Sequence, residues 1–442
     1  MTEKFDTIVI GAGPGGMAVA SALASKQRVL VVEKGDWGGT CPNRGCDPKK
    51  ILYGVVDNYL QAQRFHDDGM PTMGQLDWSK LVAFEKSYTK NIPTNMVAGL
   101  KAAGAKTLAG EAAFVNDHMI AVNGATYETD NFVIAAGAEP RILDIPGQDY
   151  LKTSTDFLKM TEMPKRIGFI GGGFVTLELA NIANAVGAEV HIFQHNHRLL
   201  ETLPQSATDR LAKILGQRGV KFHWQTTVSE INKDQGALIA QTSDGSVPVD
   251  MLISAVGRPA ALNGLNLQHA GVATDNHGIK VDDHLRTSQS HIYAIGDIGS
   301  KRIPKLTGVA GFEGAYVART ILGATAPIIY PAIPFIAFTS PQLGQVGLTV
   351  DQAMKEPDRY EIKVNEVGQW YNYFRLRDQD AQITTVVDKK TGLLVGAVVM
   401  AHDSEELMNR FAQIISLKQT PADLAKSIAV YPSFSSDLGY LY

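Results

Sequence analysis

The sequence predicts an α/β fold with two βαβ units of the Rossmann type, followed by a C-terminal α+β domain. Three observations predict it. A short apolar strand near the start runs into a glycine-rich turn, the same arrangement recurs at Arg166, and from about Tyr330 the pattern changes to separated strands followed by helices. At 442 residues the chain exceeds what one core usually holds, so it divides into about two to four domains.

Phe5 to Ile10 is an apolar run ending in Gly11-Ala12-Gly13-Pro14-Gly15-Gly16, and the helical pattern Met17 to Ser25 leads to a second strand, Arg28 to Val32, closed by Glu33. Gly11, Gly13 and Gly16 permit a tight turn, close approach of a pyrophosphate to N–H groups at a helix N-terminus, and close packing of helix on strand. Glu33 follows about 20 residues on, where a carboxylate accepts a hydrogen bond from a ribose hydroxyl. A plain glycine turn would leave that acid unexplained.

The second copy starts at Arg166 to Ile170, turns through Gly171-Gly172-Gly173-Phe174-Val175-Thr176, continues as a helix to about Ala185 and enters the strand Glu189 to Phe193. Two such units imply two nucleotides. Here Thr176 takes the third small-residue position and Gln194 replaces the acid, while His195-Asn196-His197-Arg198 follows as a basic stretch. Loss of the acid beside cationic or neutral donors favours a ribose 2′-phosphate, hence NADPH over NADH, with NADH as the second choice.

Between the units, Asn131 to Gly137 is a strand ending in small residues, and Met251 to Gly257 repeats the pattern before Arg258. Both read as chain crossings between domains. Thr287 to Asp297 is expected as a strand delivering the Asp297 carboxylate at its C-terminal end, where ligands sit in open α/β sheets. Strand signals at Phe335 to Phe338, Val346 to Leu348, Gln382 to Asp388 and Leu393 to Met400, then helices Ser404 to Ser416 and Pro421 to Lys426, give the last domain its α+β character.

The only two cysteines, Cys41 and Cys46, lie in Gly39-Thr40-Cys41-Pro42-Asn43-Arg44-Gly45-Cys46-Asp47-Pro48-Lys49-Lys50. A disulfide closing so short a loop adds little stability, because the benefit grows with loop length. On a regular helix, residues five apart are about 8 to 9 Å apart, beyond the reach of a bridge, so a bonded pair requires a bend. The start of the chain has no signal-peptide pattern and no long apolar run follows, which predicts a cytoplasmic protein and makes a redox-active pair more natural than a structural one. An apolar fraction of 45% and a net charge of -4 describe a globular protein with no bias toward nucleic acid or anionic membrane.

With these residues in view, the sequence resembles the class I pyridine nucleotide-disulfide oxidoreductases, the family of glutathione reductase, dihydrolipoamide dehydrogenase and mercuric reductase. The resemblance runs along nearly the whole chain: the glycine turn at 11 to 16, the segment Gly39 to Lys50, the second turn with Glu178, the motif ending Gly296-Asp297, and Phe338-Thr339-Ser340-Pro341 in the last domain. It implies an FAD-binding domain over residues 1–148, an NAD(P)-binding domain over 149–259, a return to the FAD domain over 260–328, and an interface domain over 329–442 that forms a homodimer. It also implies that Gly11, Gly13, Gly16, Glu33, Thr40, Lys50, Gly137, Asp297 and Thr307 hold FAD. The NAD(P) site is implied for Gly171, Gly173, Phe174, Glu178, His195, Arg198 and Gly257. By the same likeness Phe174 is an aromatic gate, Lys50 and Glu178 are a buried pair beside the flavin, Asp297 holds the ribityl chain, Cys46 faces the flavin, and Cys41 meets the acceptor. No resident metal is expected.

Arg44, Lys49, Lys50 and a helix N-terminus are expected to lower the thiol pKa values. The family's C-terminal histidine and glutamate, which protonate the leaving thiolate, are missing: the segment reads Tyr431-Pro432-Ser433-Phe434-Ser435-Ser436-Asp437. Tyrosine, with an ordinary pKa near 10, is a poorer proton shuttle than imidazole near 6.5. The expected activity is therefore transfer from NADPH through flavin and the Cys41-Cys46 pair to a small-molecule disulfide or thiol-reactive acceptor. A metal ion of mercuric or copper type, or a quinone, is the alternative acceptor.

Overall fold

The computed structural model describes all residues except Met1, Thr72 and Gln235; Met1, the expected start of the first domain, thus lies outside the described residues. The chain forms two compact units, each assembled from three separate segments: residues 1–49, 83–141 and 257–329 in the first, and 50–82, 142–256 and 330–442 in the second.

The first unit is built on a seven-stranded sheet. Its order is Lys106–Ala109, Val29–Glu33, Glu3–Ile10, Ala125–Ile134, Met119–Val122, Ala113–Asn116, with Ile292–Ala294 also pairing with Ala125–Ile134. Glu3–Ile10 lies parallel to both Val29–Glu33 and Ala125–Ile134. Val29–Glu33 is buried at every position, as a parallel strand covered on both faces must be. The strand expected over Thr287 to Asp297 is shorter, Ile292–Ala294. A tight hairpin-like bridge between Arg286 and Tyr293 occupies its predicted start, and a 3₁₀ turn, Gly296–Ile298, carries Asp297 away from the sheet. The crossings at Gly137 and Gly257 run side by side, Glu139 N donating to Pro259 O and Arg141 N to Gly257 O.

The second unit contains three sheets. Met251–Ser254, Arg166–Ile170, Glu189–Gln194 and Lys221–Trp224 form a parallel four-stranded sheet in that order, and Val228–Asp234, Ala237–Thr242 and Gly245–Val249 form an antiparallel one. The helix Phe174–Val186 follows the glycine turn and stops at Gly187, whose left-handed φ of 104° costs glycine nothing. Residues Phe335–Ala337, Gln342–Gly347, Leu394–Ala401, Gln382–Asp388 and Tyr360–Glu366 make the five-stranded antiparallel sheet of the C-terminal region. The helix Ser404–Leu417 covers it with Leu407, Met408, Phe411 and Ile414. Among the described residues no helix is long and apolar enough to cross a membrane.

Candidate active site

The glycine turn of the first unit shows why its residues cannot vary. A Cβ on Gly16 would sit 1.9 Å from Gly11 O, and one on Gly11 would sit 2.4 Å from Ala135 O. Gly13 is different: it caps the helix Pro14–Leu23 without a side-chain bond, and a Cβ there would meet nothing within 4 Å. The helix N-terminus thus opens onto free space with its N–H groups uncapped, a setting that favours an anion. Glu33, 8% exposed, accepts from Ala12 N at 2.7 Å and from Gly35 N at 2.7 Å, which fixes its carboxylate under the turn.

The cysteine segment packs on this turn. Gly38 N donates to Ala12 O, and a Cβ on Gly39 would lie 2.7 Å from Gly13 Cα. Thr40 begins a five-residue helix that Gly45 breaks at φ -140° and ψ -109°, and Cys46 starts a new helix running to Gln63. The expected bend therefore lies at Gly45, where a Cβ would come 2.9 Å from Thr40 O. No disulfide joins the two sulfurs. Cys41 Sγ lies 3.7 Å from Asp47 Oδ1 as donor, and Cys46 Sγ lies 3.6 Å from Thr307 Oγ1 at the start of the helix Thr307–Ile321.

The expected lowering of the thiol pKa does not hold for Cys41. The adjacent Cys46 sulfur first, then burial, push the Cys41 thiol far up; Thr307 pulls it partly back, and the Asp47 carboxylate adds the smallest upward contribution. Two of the three cations invoked for lowering it are engaged with carboxylates: Arg44 Nη1 binds Asp36 at 2.7 Å and Lys50 Nζ binds Glu178 at 2.5 Å.

Asp297 shares a small cavity with Lys301, Lys305 and Glu313. Burial raises its pKa, while Lys305, Arg258 and Lys301 pull it back. Glu313, fully buried, accepts from Gly296 N at 2.6 Å and pairs with Lys301 at 2.5 Å. Nothing in the spacing pointed to Glu313; its one sequence signal is an acid set among small residues, Gly311, Gly314 and Ala315, on a helix face.

In the second unit, Lys50 lies in the helix Cys46–Gln63, and the residues after it on one face meet the strand-linking segment 338–341 in step. Lys50 Nζ pairs with Glu178 and sits 4.1 Å from the Phe338 ring centroid, Glu178 Oε1 accepts from Phe338 N, Tyr53 Oη donates to Thr339 O, and Ser340 Oγ donates to Asp57. Glu178 is 3% exposed, so its charge is neutralised by Lys50 rather than by water. Asp57 also binds His402, whose other nitrogen binds Asp403, a network that sequence spacing gave no sign of.

Phe174 stands at the start of its helix, edge-on to Phe335 at 5.8 Å. Gln194, 4% exposed, donates from Nε2 to Asn196 Oδ1 and Arg198 O. His195 is exposed. Arg198 is not turned toward the glycine turn as a free donor: it binds Leu203 O and Asp351, each at 3.0 Å. Gly171 takes a left-handed φ of 100°, as do Gly257 and Gly137 in the first unit at 108° and 73°. Tyr431 is 70% exposed and stacks on Tyr371 at 6.0 Å. Asp437 is buried and accepts from Asn372 Nδ2 at 2.9 Å.

Two glycine turns, an acid beneath the first, and a close thiol pair at the head of a helix define a flavin-dependent oxidoreductase of the dithiol type. Residues 5–314 match the pyridine nucleotide-disulphide oxidoreductase family and residues 333–441 match its dimerisation domain, and the chain belongs to that family. It is 31% identical to a glutathione reductase of Burkholderia cepacia, over 98% of this chain and 97% of the relative, and 32% identical to a dihydrolipoyl dehydrogenase of Thermus scotoductus, over 99% and 96%. A mercuric reductase of Bacillus cereus is 29% identical over 98% of this chain and 70% of its own. The fold matches the HOCl-induced flavoprotein disulfide reductase RclA of Escherichia coli with a TM-score of 0.89 at 24% identity, covering 99% of each chain. The chain is accordingly an FAD-dependent NAD(P)H oxidoreductase of the disulfide reductase class, acting on sulfur groups.

Proposed function

We propose that this enzyme takes reducing equivalents from NADPH and delivers them through Cys41 to a disulfide or related thiol-reactive acceptor, working as a homodimer through the 329–442 domain. The observation that carries the reading is the thiol pair itself: Cys46 against Thr307 at a helix start, and Cys41 on the other side of the Gly45 bend against Asp47. In this reading Cys46 serves the flavin side of the exchange and Cys41 the acceptor side.

The residues fit an FAD. The uncapped N–H groups behind Gly13 suit its pyrophosphate, Glu33 suits a ribose hydroxyl, and the Asp297 carboxyl, its pKa raised by burial among Lys305, Arg258 and Lys301, suits a polyol chain. Bound FAD supplies the two-electron link between pyridine nucleotide and thiols. Thr40 and Gly137 are assigned to the same site, and Thr307 to both the cofactor and Cys46. Lys50, fixed by Glu178, holds a positive charge that does not have to reorganise during reaction. Phe174 is assigned the gate, with Gly171, Gly173 and Gly257 giving the coenzyme close approach.

NADPH is preferred in this reading because Gln194 carries no charge to repel a 2′-phosphate and exposed His195 lies beside it. Arg198 serves to pin the loop to Asp351. A metal ion is the second acceptor reading, favoured by two sulfurs with the Asp47 carboxylate at their mouth; the related fold in Escherichia coli is described in a Cu(II) complex.

Holoenzyme carrying Cys41→Ser tests the reading with cystine, Hg(II), Cu(II) and a quinone as separate acceptors. Disulfide turnover is expected to disappear while NADPH still bleaches the flavin. Undiminished disulfide turnover in the variant overturns it, and loss confined to the metal assays selects the second reading.

A further inference from the structure

Resting on that reading of Cys41 as the acceptor-facing sulfur, we propose that Asp47 selects acceptors by charge, admitting cationic and neutral ones and holding back anionic ones. The Cys41 thiol donates to Asp47 Oδ1 at 3.7 Å, so any acceptor sulfur or metal reaching Cys41 arrives beside a carboxylate. Arg44, the cation in the same short helix as Cys41, is bound to Asp36 at 2.7 Å. Asp47 belongs to the first turn of the helix beginning at Cys46, so its position relative to the sulfur is fixed by backbone rather than by a mobile loop. The Cys41 thiol pKa is raised chiefly by Cys46 and by burial, and the Asp47 charge adds a small contribution of the same sign.

The exchange balances without further reactants. Cys41 Sγ bonds to one sulfur of the acceptor as the acceptor S–S bond breaks, and the thiol proton passes to the departing sulfur. Cys46 Sγ then bonds to Cys41 Sγ, the mixed disulfide breaks, and the second thiol leaves with the Cys46 proton. The acceptor gains two electrons and the cysteine pair loses two. Asp47 takes no part in bond making; it sets which acceptors reach the sulfur. A unit charge about 6 Å away in a medium of dielectric about 80 changes the rate for a singly charged end about threefold, in opposite senses for cation and anion, so their ratio moves by about tenfold.

The test compares cystamine, a dication, with dithiodiglycolate, a dianion, as acceptors for the holoenzyme. The wild type is expected to favour cystamine, and Asp47→Asn to reduce the ratio of the two kcat/KM values about tenfold, mostly through KM and less so at high salt. Asp47→Glu is expected to restore the ratio, which a merely structural role would not do. A second readout needs no turnover: alkylation of Cys41 in the reduced holoenzyme by iodoacetate against iodoacetamide, located by mass spectrometry. Asp47→Asn should accelerate iodoacetate selectively. If both disulfides are reduced and their ratio is unmoved in Asp47→Asn, or if the two alkylation rates change together, the inference is overturned. If neither disulfide is reduced by the wild type, the disulfide reading fails instead, and the alkylation ratio alone decides the charge inference.

Discussion

The turns at Gly11 to Gly16 and at Gly171 to Thr176 share one pattern and solve one problem differently. Under the first, Glu33 receives two backbone N–H groups, from Ala12 and Gly35. Under the second, Gln194 reverses the polarity: its amide N–H groups donate to Asn196 Oδ1 and Arg198 O, and its Oε1 is buried without a partner. The third small position differs too. Gly16 leaves no room for a Cβ, whereas Thr176 is wholly buried with its hydroxyl unsatisfied. The comparison teaches that the residue under the second turn is tied to the loop that follows it, while the residue under the first is an acid tied to backbone N–H groups of the turn itself and of Gly35.

The largest test of that contrast is steric. Gly16→Ala must move the Gly11 carbonyl, and about 3 kcal/mol of stability is expected to be lost, with poor FAD retention. Thr176→Ala removes a hydroxyl that satisfies nothing and should stay within about 1 kcal/mol of the parent. Thermal melts of the two variants settle it; equal losses would break the comparison.

A smaller effect concerns the coenzyme. Gln194→Glu would place a carboxylate against the Asn196 and Arg198 oxygens and beside an incoming 2′-phosphate, so KM for NADPH should rise about tenfold relative to NADH. An unchanged ratio would mean that Gln194 fastens the loop and does nothing else.

The smallest effect is a pH dependence confined to the second sheet. Its strand Glu189–Gln194 carries His191, which bonds His223 at 2.9 Å on the next strand and Glu189 at 2.9 Å, where the first unit has only apolar residues and Glu33. Burial first, then His191, lowers the His223 pKa from 6.5. A histidine with a lowered folded pKa supports the fold fully above about pH 6.5 and loses that support as pH falls toward the folded value. His223→Gln should therefore lose less melting temperature than the parent between pH 7 and pH 5.5. A parallel fall in both proteins would assign acid sensitivity elsewhere.

Much of the site was legible because it is written in short, contiguous stretches. Glycine positions that need left-handed φ or contact with a carbonyl, and a terminal acid at fixed spacing, are set by local backbone geometry, so Gly11, Gly16, Glu33 and the two thiols could be read directly. Partners distant in sequence could not. Lys50 finds Glu178 and Phe338, Glu313 finds Gly296, and Asp57 finds His402 only through long-range packing. Arg198 illustrates the same limit: its basic charge was plain, but its commitment to Asp351 comes from a residue in another part of the unit.

By itself, then, the sequence determined the two nucleotide units and the family, since each rests on residues within a turn or two of one another; the bend at Gly45, expected only for a bonded pair, is present with both thiols free. Tertiary structure decided the electrostatics. Which cation belongs to which carboxylate depends on burial and on what the fold packs nearby, and that is why Cys41, expected beside positive charge, stands instead beside Asp47.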